Sequence, residues 1–350
     1  MEKSHLIGCL MGTAVGDALG LPYENVSRQR APRLLGAPDR HRLVGRCGML
    51  SDDTEHTCMV AQALIASDFD CEAFTRDLGR RLRWWCAPLP AGIGRATLRS
   101  CLKLWLGCSP QRSGVFSAGN GPAMRSAIFG AVFDDIATMI PFVVASCRIT
   151  HSDPKAEFGA IAVALAAFTS RQNSTVDAEQ YLAQLAAIIG PDGQELSDLL
   201  RVVVDSVADA ESALEYASKH GMENGVSGYT YHTVPIAIHT WLSHPADYRA
   251  AVTVAIECGG DTDTTSAIVG GIVGTTSGES GIPAEWIAGL REWPRNVRWI
   301  RRLSDQLSEA AHDHVRQTPI GLNFFAVLLR NLFFLGVVLC HGFRRMLPPY

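Results

Sequence analysis

Along most of this 350-residue chain, apolar residues return every three or four positions, the period of an α-helix with a buried face. Residues 57–66, 125–133, 136–145, 156–168, 178–189 and 196–208 carry this spacing, rich in Ala and Leu, and each predicts a helix. Convincing apolar–polar alternation, the mark of a half-buried strand, is absent. Gly and Pro gather at 19–22, 87–94, 107–121, 190–193 and 278–283, between the helical runs. No internal repeat or low-complexity linker interrupts the pattern. It predicts an all-α fold, one compact multi-helix domain over residues 1–305, followed by a hydrophobic C-terminal segment at 318–350.

Composition narrows the class of protein. Hydrophobic residues make up 47% and charged residues 19%, which supplies a core and excludes a disordered chain. The net charge of -4 gives no basic surface for nucleic acid, which is not an expected partner. Ten cysteines occur without a CxxC pair, so they read as reduced thiols in a cytoplasmic setting rather than as zinc ligands or disulfides. Leu6-Ile7-Gly8-Cys9 looks like a lipoprotein cleavage box, but only the polar residues 1–5 precede it. A signal peptide needs an apolar stretch of about 7–15 residues there.

Candidate chemistry sits at the helix starts. Ser51-Asp52-Asp53-Thr54 offers two carboxylates and two hydroxyls, hard oxygen donors of the kind magnesium prefers. Alone it would read as a helix N-cap, where Ser and Asp accept free N–H groups. Gly259-Gly260-Asp261-Thr262-Asp263-Thr264 precedes a second helical run of small residues, and its plain reading is a capping turn. The pair shifts the balance. Two ions about 3.5–4 Å apart need more ligands than one such cluster holds. Glycines 12, 16 and 20 put a bare stripe on one helix face, suited to close helix packing. Glu24 follows the break at Pro22 and is expected to be exposed, free to swing over a site. Residues 117–125, Ser-Ala-Gly-Asn-Gly-Pro-Ala-Met-Arg, form a Gly-rich loop before a helix and suit a diphosphate. Taken singly, His151 reads as a cap or core hydrogen bonder, and Tyr229, in Gly225-Val226-Ser227-Gly228-Tyr229, as a core cover or a stacking face.

In this order, the motifs GDALGLPYE, SDDT, GNGPAMR, THSDP, GVSGYT and GGDTDT resemble the ADP-ribosylglycohydrolase family over residues 6–274. The resemblance implies an all-α fold around two Mg2+ ions, with Mn2+ as the alternative, and hydrolysis of the bond joining ADP-ribose to an acceptor. It implies Ser51, Asp52, Asp53, Asp261, Asp263 and Thr264 as metal ligands. Glu24 matches a mobile glutamate near the scissile bond; Glu24, Asp52 and Asp53 are the candidates for general acid or base. Ser117, Gly119, Asn120, Gly121, Arg125, His151 and Tyr229 would contact substrate. An ADP-ribosylated protein or a small ADP-ribose derivative would be the partner. A phosphate-ester hydrolase using the same carboxylates, or a crystallin-like binding paralogue, are the competing readings. Acceptor and oligomeric state stay open.

The tail lies beyond the resemblance. Residues 320–339 are about long enough to span a bilayer, roughly 20 residues, but Arg330 falls near their middle and Asn323 and Asn331 add polarity. A helix docked on the core or on a partner, and membrane attachment through residues 320–345, are equally compatible with the pattern.

Overall fold

The computed structural model describes residues 3–172, 175–313, 317–346 and 348. Among them are seventeen α-helices and no strand beyond isolated bridges. Helix α1 (Lys3–Gly20) leads to the short α2 (Ala31–Leu35), then α3 (Asp52–Ser67), α4 (Cys71–Trp85) and α5 (Arg95–Trp105). A run of apolar helices follows: α6 (Ala127–Val132), α7 (Ile136–Thr150) and α8 (Pro154–Gln172). The peripheral α9 (Ala178–Ile189), α10 (Gln194–Ala208) and α11 (Ala213–Lys219) precede α12 (Thr230–Ser243) and α13 (Tyr248–Glu257). The body closes with α14 (Thr262–Ser277), α15 (Ala284–Gly289) and α16 (Val297–Asp313), which carries it past the expected boundary at 305. Several starts follow from a polar residue at the N-cap. Asp70, Asp135, Asp177 and Asp247 each accept a hydrogen bond from a backbone N–H in the first turn.

The centre of the molecule is the antiparallel pair α1 and α14. Both are buried almost all round, the signature of core helices. Their contact is made by small residues four apart. A Cβ added at Gly8, Gly12 or Gly16 would stand 2.0, 2.1 and 2.1 Å from the carbonyl oxygens of Gly274, Gly270 and Ser266. Hydroxyls stitch the seam: Thr262 Oγ1 donates to Gly20 O, and Ser266 Oγ to Gly16 O. This close approach carries Asp17 of α1 to the end of α14 that begins at the second acidic cluster.

The C-terminal segment forms α17 (Phe324–Arg345), capped by Asn323 and docked on the body. Arg330 is 5% exposed, bound to both carboxylate oxygens of Glu292 and to the carbonyl of Leu50, beside Glu55. Asn331 donates to Pro88 O, and His341 Nε2 lies 2.8 Å from Pro22 O. The polar residues that interrupt the apolar run are its docking face. Residues 347, 349 and 350 of the expected segment lie outside the described residues.

Candidate active site

The first acidic cluster is built on the start of α3. Ser51 takes extended backbone geometry as N-cap, its Oγ accepting from Asp53 N at 3.2 Å and donating to Asp53 Oδ2 at 2.8 Å. Beneath it lies Asp17, fully buried, whose carboxylate accepts from Ser51 N, Thr54 N and Thr54 Oγ1. Asp17 therefore locks this acidic turn from inside. Burial pushes its pKa up to about 6 against these hydrogen bonds.

The second cluster is set by three loops joined through backbone. Val226 N donates to Gly259 O and Asp261 N to Val226 O. Gly260, at φ +81°, passes so near that a Cβ would meet Val226 O at 2.0 Å, which requires glycine twice over. Asn25 N donates to Gly260 O, which holds the Glu24 loop against the same turn. On the other side, Asn120 N donates to Gly228 O and Thr230 N to Ala118 O, zipping the Gly-rich loop to the Tyr229 loop. Asn120 Nδ2 reaches Asp261 Oδ2 at 2.7 Å and Thr233 Oγ1 at 2.9 Å. Asp263 and Thr264 lie buried in the first turn of α14, with Thr264 N donating to Asp263 Oδ1.

Thus Ser51, Asp52, Asp53, Asp261, Asp263, Thr264 and Glu24 gather from three parts of the chain, and the carboxylates act on one another. Burial first, then Asp17 and Asp52, raise Asp53 well above the usual carboxylate range. Burial, Glu24 and Asp261 do the same to Asp263, and burial, Asp17 and Glu55 to Asp52. Glu24 is half-buried rather than exposed as expected, because α17 runs alongside; burial and Asp261 raise it. Among the described residues no three Asp, Glu, His or Cys side chains stand close enough to grip one ion unaided. The donor chemistry nevertheless suits a hard cation. Asp53 Oδ1 is buried without a hydrogen-bond partner, and the hydroxyls of Ser51 and Thr264 stand beside the carboxylates. Magnesium keeps several waters and takes only one or two carboxylates per ion, which fits donors divided between two turns.

The remaining expected contacts divide into surface and support. Ser117, Gly119 and Gly121 are half-buried on the loop, and Tyr229 is half-buried with its hydroxyl 3.1 Å from Lys155 Nζ. His151 packs against the loop from behind. A Cβ at Gly119 would lie 3.1 Å from His151 Nε2, and one at Gly121 3.1 Å from its Cε1, so both glycines leave room for the ring. Burial and the charge of Arg125 push His151 down to about 3, so it is neutral near pH 7. Arg125 corrects the expectation of a substrate-facing arginine. It is fully buried, and its three guanidinium nitrogens serve Ser146 Oγ, Ser146 O, Thr150 Oγ1, Gly121 O and His56 Nδ1. It supports the loop from below.

Two features escape a sequence reading. Asp17 looks like one polar residue in an apolar helix, and only its partners 34 and 37 residues away reveal it. The second is the wall of a cavity of about 150 Å³ that contains Glu24, Ser51, Asp52 and Asp263. Phe334, Val338, His341 and Arg345 of α17 close its far side.

Comparison with known proteins gives a consistent picture. The family model described as ADP-ribosylglycohydrolase matches residues 2–316. A protein of Archaeoglobus fulgidus is 30% identical over 291 residues, covering 81% of this chain and 90% of its own. The ADP-ribosylhydrolase ARH3 of Gallus gallus is 28% identical, covering 80% and 87%. The ADP-ribosyl-[dinitrogen reductase] glycohydrolase of Rhodospirillum rubrum is 24% identical, covering 86% and 94%. In fold, the chain is similar to a solved ADP-ribosylglycohydrolase-related protein complex, with a TM-score of 0.64 at 23% identity over 88% of this chain and 98% of the other.

Proposed function

The chain belongs to the ADP-ribosylglycohydrolase family, hydrolases of ADP-ribose linkages, and from that premise we propose a two-cation hydrolase. Its substrate would be an ADP-ribosyl group linked through the anomeric carbon to a protein side chain, as the name of the Rhodospirillum rubrum relative suggests. Ser51, Asp52 and Asp53 would hold one Mg2+ or Mn2+, and Asp261, Asp263 and Thr264 the other. The cations, when bound, supply Lewis acidity beside the ribose and offset the carboxylate charge. The single observation that carries this reading is the partnerless buried Asp53 Oδ1 within a set of mutually repelling carboxylates. Such a group is costly to leave unpaired unless a cation completes it.

The chain's own residues do the rest. The loop around Gly119 and Gly121, with Tyr229 on its flank, would receive the diphosphate. Hydrolysis adds water at the anomeric carbon and returns a proton to the departing acceptor atom. Glu24, at the cavity rim beside Asp261, is placed to take the proton from the water or give one to the acceptor. Asp52 lines the same cavity and is the second candidate. The ten unpaired thiols suit work in the cytoplasm.

The test is a panel of arginine-, serine- and O-acetyl-linked ADP-ribose substrates, assayed for ADP-ribose release with Mg2+, Mn2+ or EDTA. Release from at least one, lost in EDTA and in Asp263→Asn, is expected. Glu24→Gln should keep ADP-ribose binding and lose rate by about 10²–10⁴-fold. Binding of ADP-ribose with no turnover on any substrate would instead indicate a binding paralogue, and phosphate release a different hydrolase.

A further inference from the structure

Helix α17 presents its faces in the reverse of the order that water favours. Arg330, Asn331 and His341 point into the protein, while Phe325, Leu329, Leu332, Phe333, Leu339 and Phe343 face out with 50–75% of their surface exposed. Arg344 is the one charged side chain on the exposed strip, and the helix contains no acidic residue. Twenty-two residues make a strip about 33 Å long. An apolar surface of this extent marks a site of association. The helix also lies beyond residue 316, where the family match ends.

The border of the strip says what covers it. The segment from Ala31 to Leu50 runs beside α17: Arg344 donates to Leu34 O, and Leu43 and Val44 share a groove with Leu332 and Phe333. Exposed Arg40 and Arg46 lie on this segment, whose one acid, Asp39, stands 2.7 Å from Arg42 and 4.0 Å from Arg40 and so cannot offset all three charges. A second copy of the strip offers this basic border no acid to meet, since α17 contains no acidic residue. A spanning arrangement would tear Arg330 from Glu292 and Leu50 and place it in hydrocarbon. An anionic lipid surface meets both features, with acyl chains against the strip and headgroups against the arginines. We propose that α17 seats this protein in the plane of an anionic membrane leaflet while its inner face stays docked over the cavity.

The proposal is independent of the catalytic reading and is tested without turnover. The full chain is floated with vesicles of phosphatidylcholine alone, or with one quarter phosphatidylglycerol, in moderate salt. Flotation with the anionic vesicles, on the order of ten-fold above the neutral ones, is expected. The triple variant Phe325→Ser/Phe333→Ser/Leu339→Ser should keep its melting temperature and lose flotation. Arg40→Glu/Arg46→Glu should lose the preference for anionic vesicles. No flotation of the full chain, or flotation unchanged in the triple variant, overturns the proposal. So does a stable dimer in solution that the triple variant dissociates, because a second copy would then be the occupant.

Discussion

Asp53 sits in a turn that holds it firmly but leaves one of its oxygens without a partner. A carboxylate that served only the fold would be stabilising; this one is surrounded by Asp17, Asp52 and Asp261, all of which oppose its charge. Asp53→Asn should therefore raise the melting temperature of the cation-free protein by a few degrees, roughly the response to 1 kcal/mol, while weakening Mg2+ binding at least about ten-fold. Calorimetric titration and thermal melts in EDTA measure both, and a lower melting temperature in EDTA would mark Asp53 as structural. The two acidic clusters were legible in the sequence because several oxygen donors at the start of a helix stand out against an apolar pattern. Asp17 was hidden because its hydrogen bonds are non-local. The direction of Arg125 was also invisible. Nothing in GNGPAMR distinguishes an arginine above the loop from one below it, and burial behind α7 decides the matter. Gly119 and Gly121 read as an anion cradle, yet they also make room for His151, a constraint that appears only when the loop is packed.

At the scale of elements, the seam of α1 and α14 rests on missing side chains. Gly16→Val would force its Cβ towards Ser266 O, 2.1 Å away, and should cost at least about 3 kcal/mol in urea denaturation. Gly94→Ala is the control: its nearest neighbour would be Thr97 Oγ1 at 3.9 Å, and the change should stay under about 1 kcal/mol. Equal costs would mean that the seam opens to accept the valine. For α17, length and apolarity could be read directly, but not its orientation. Arg330 and Asn331 looked like flaws in a span and prove to be the anchor. Removing Arg330 leaves Glu292 buried without its arginine and strips Glu55 of one of its two. Arg330→Ala should cost about 3–5 kcal/mol, whereas exposed Arg344→Ala should change little. Faster tryptic cleavage after Arg344 and Arg345, the trypsin sites left in α17, offers a second readout for the former.

At the scale of the whole molecule, five histidines, His41, His56, His151, His239 and His341, are held in the interior, where burial lowers their pKa values. Burial pushes His239 down to about 4 and, with Arg125, His151 to about 3. Their unfolded value is about 6.5, so below it the unfolded chain takes protons that the fold refuses. Each contributes stability that is full above about pH 6.5 and is lost as pH falls towards the folded value, with a slope of up to about 1.4 kcal/mol per pH unit. His239→Gln should flatten the fall in urea midpoint between pH 6 and 4.5; an unchanged slope would show that His239 is charged within the fold. At this scale the all-α class was legible from the helical period alone, and the pairing of the two acidic turns was expected from their chemistry; the packing of α1 on α14 that carries Asp17 between them was not, because it depends on how the two helices register. That register has a consequence for how the chain can change. The antiparallel seam acts as a ruler, with Asp17 and Asp263 as marks on opposite scales. One residue inserted within either helix would advance one scale by about 1.5 Å and rotate it by about 100°. The glycine notches would miss, and the marks would part. Insertions in the connections at 86–94 or 244–247 leave the ruler untouched. Length variation among descendants of this fold should therefore crowd into its loops, while the two central helices keep their residue count.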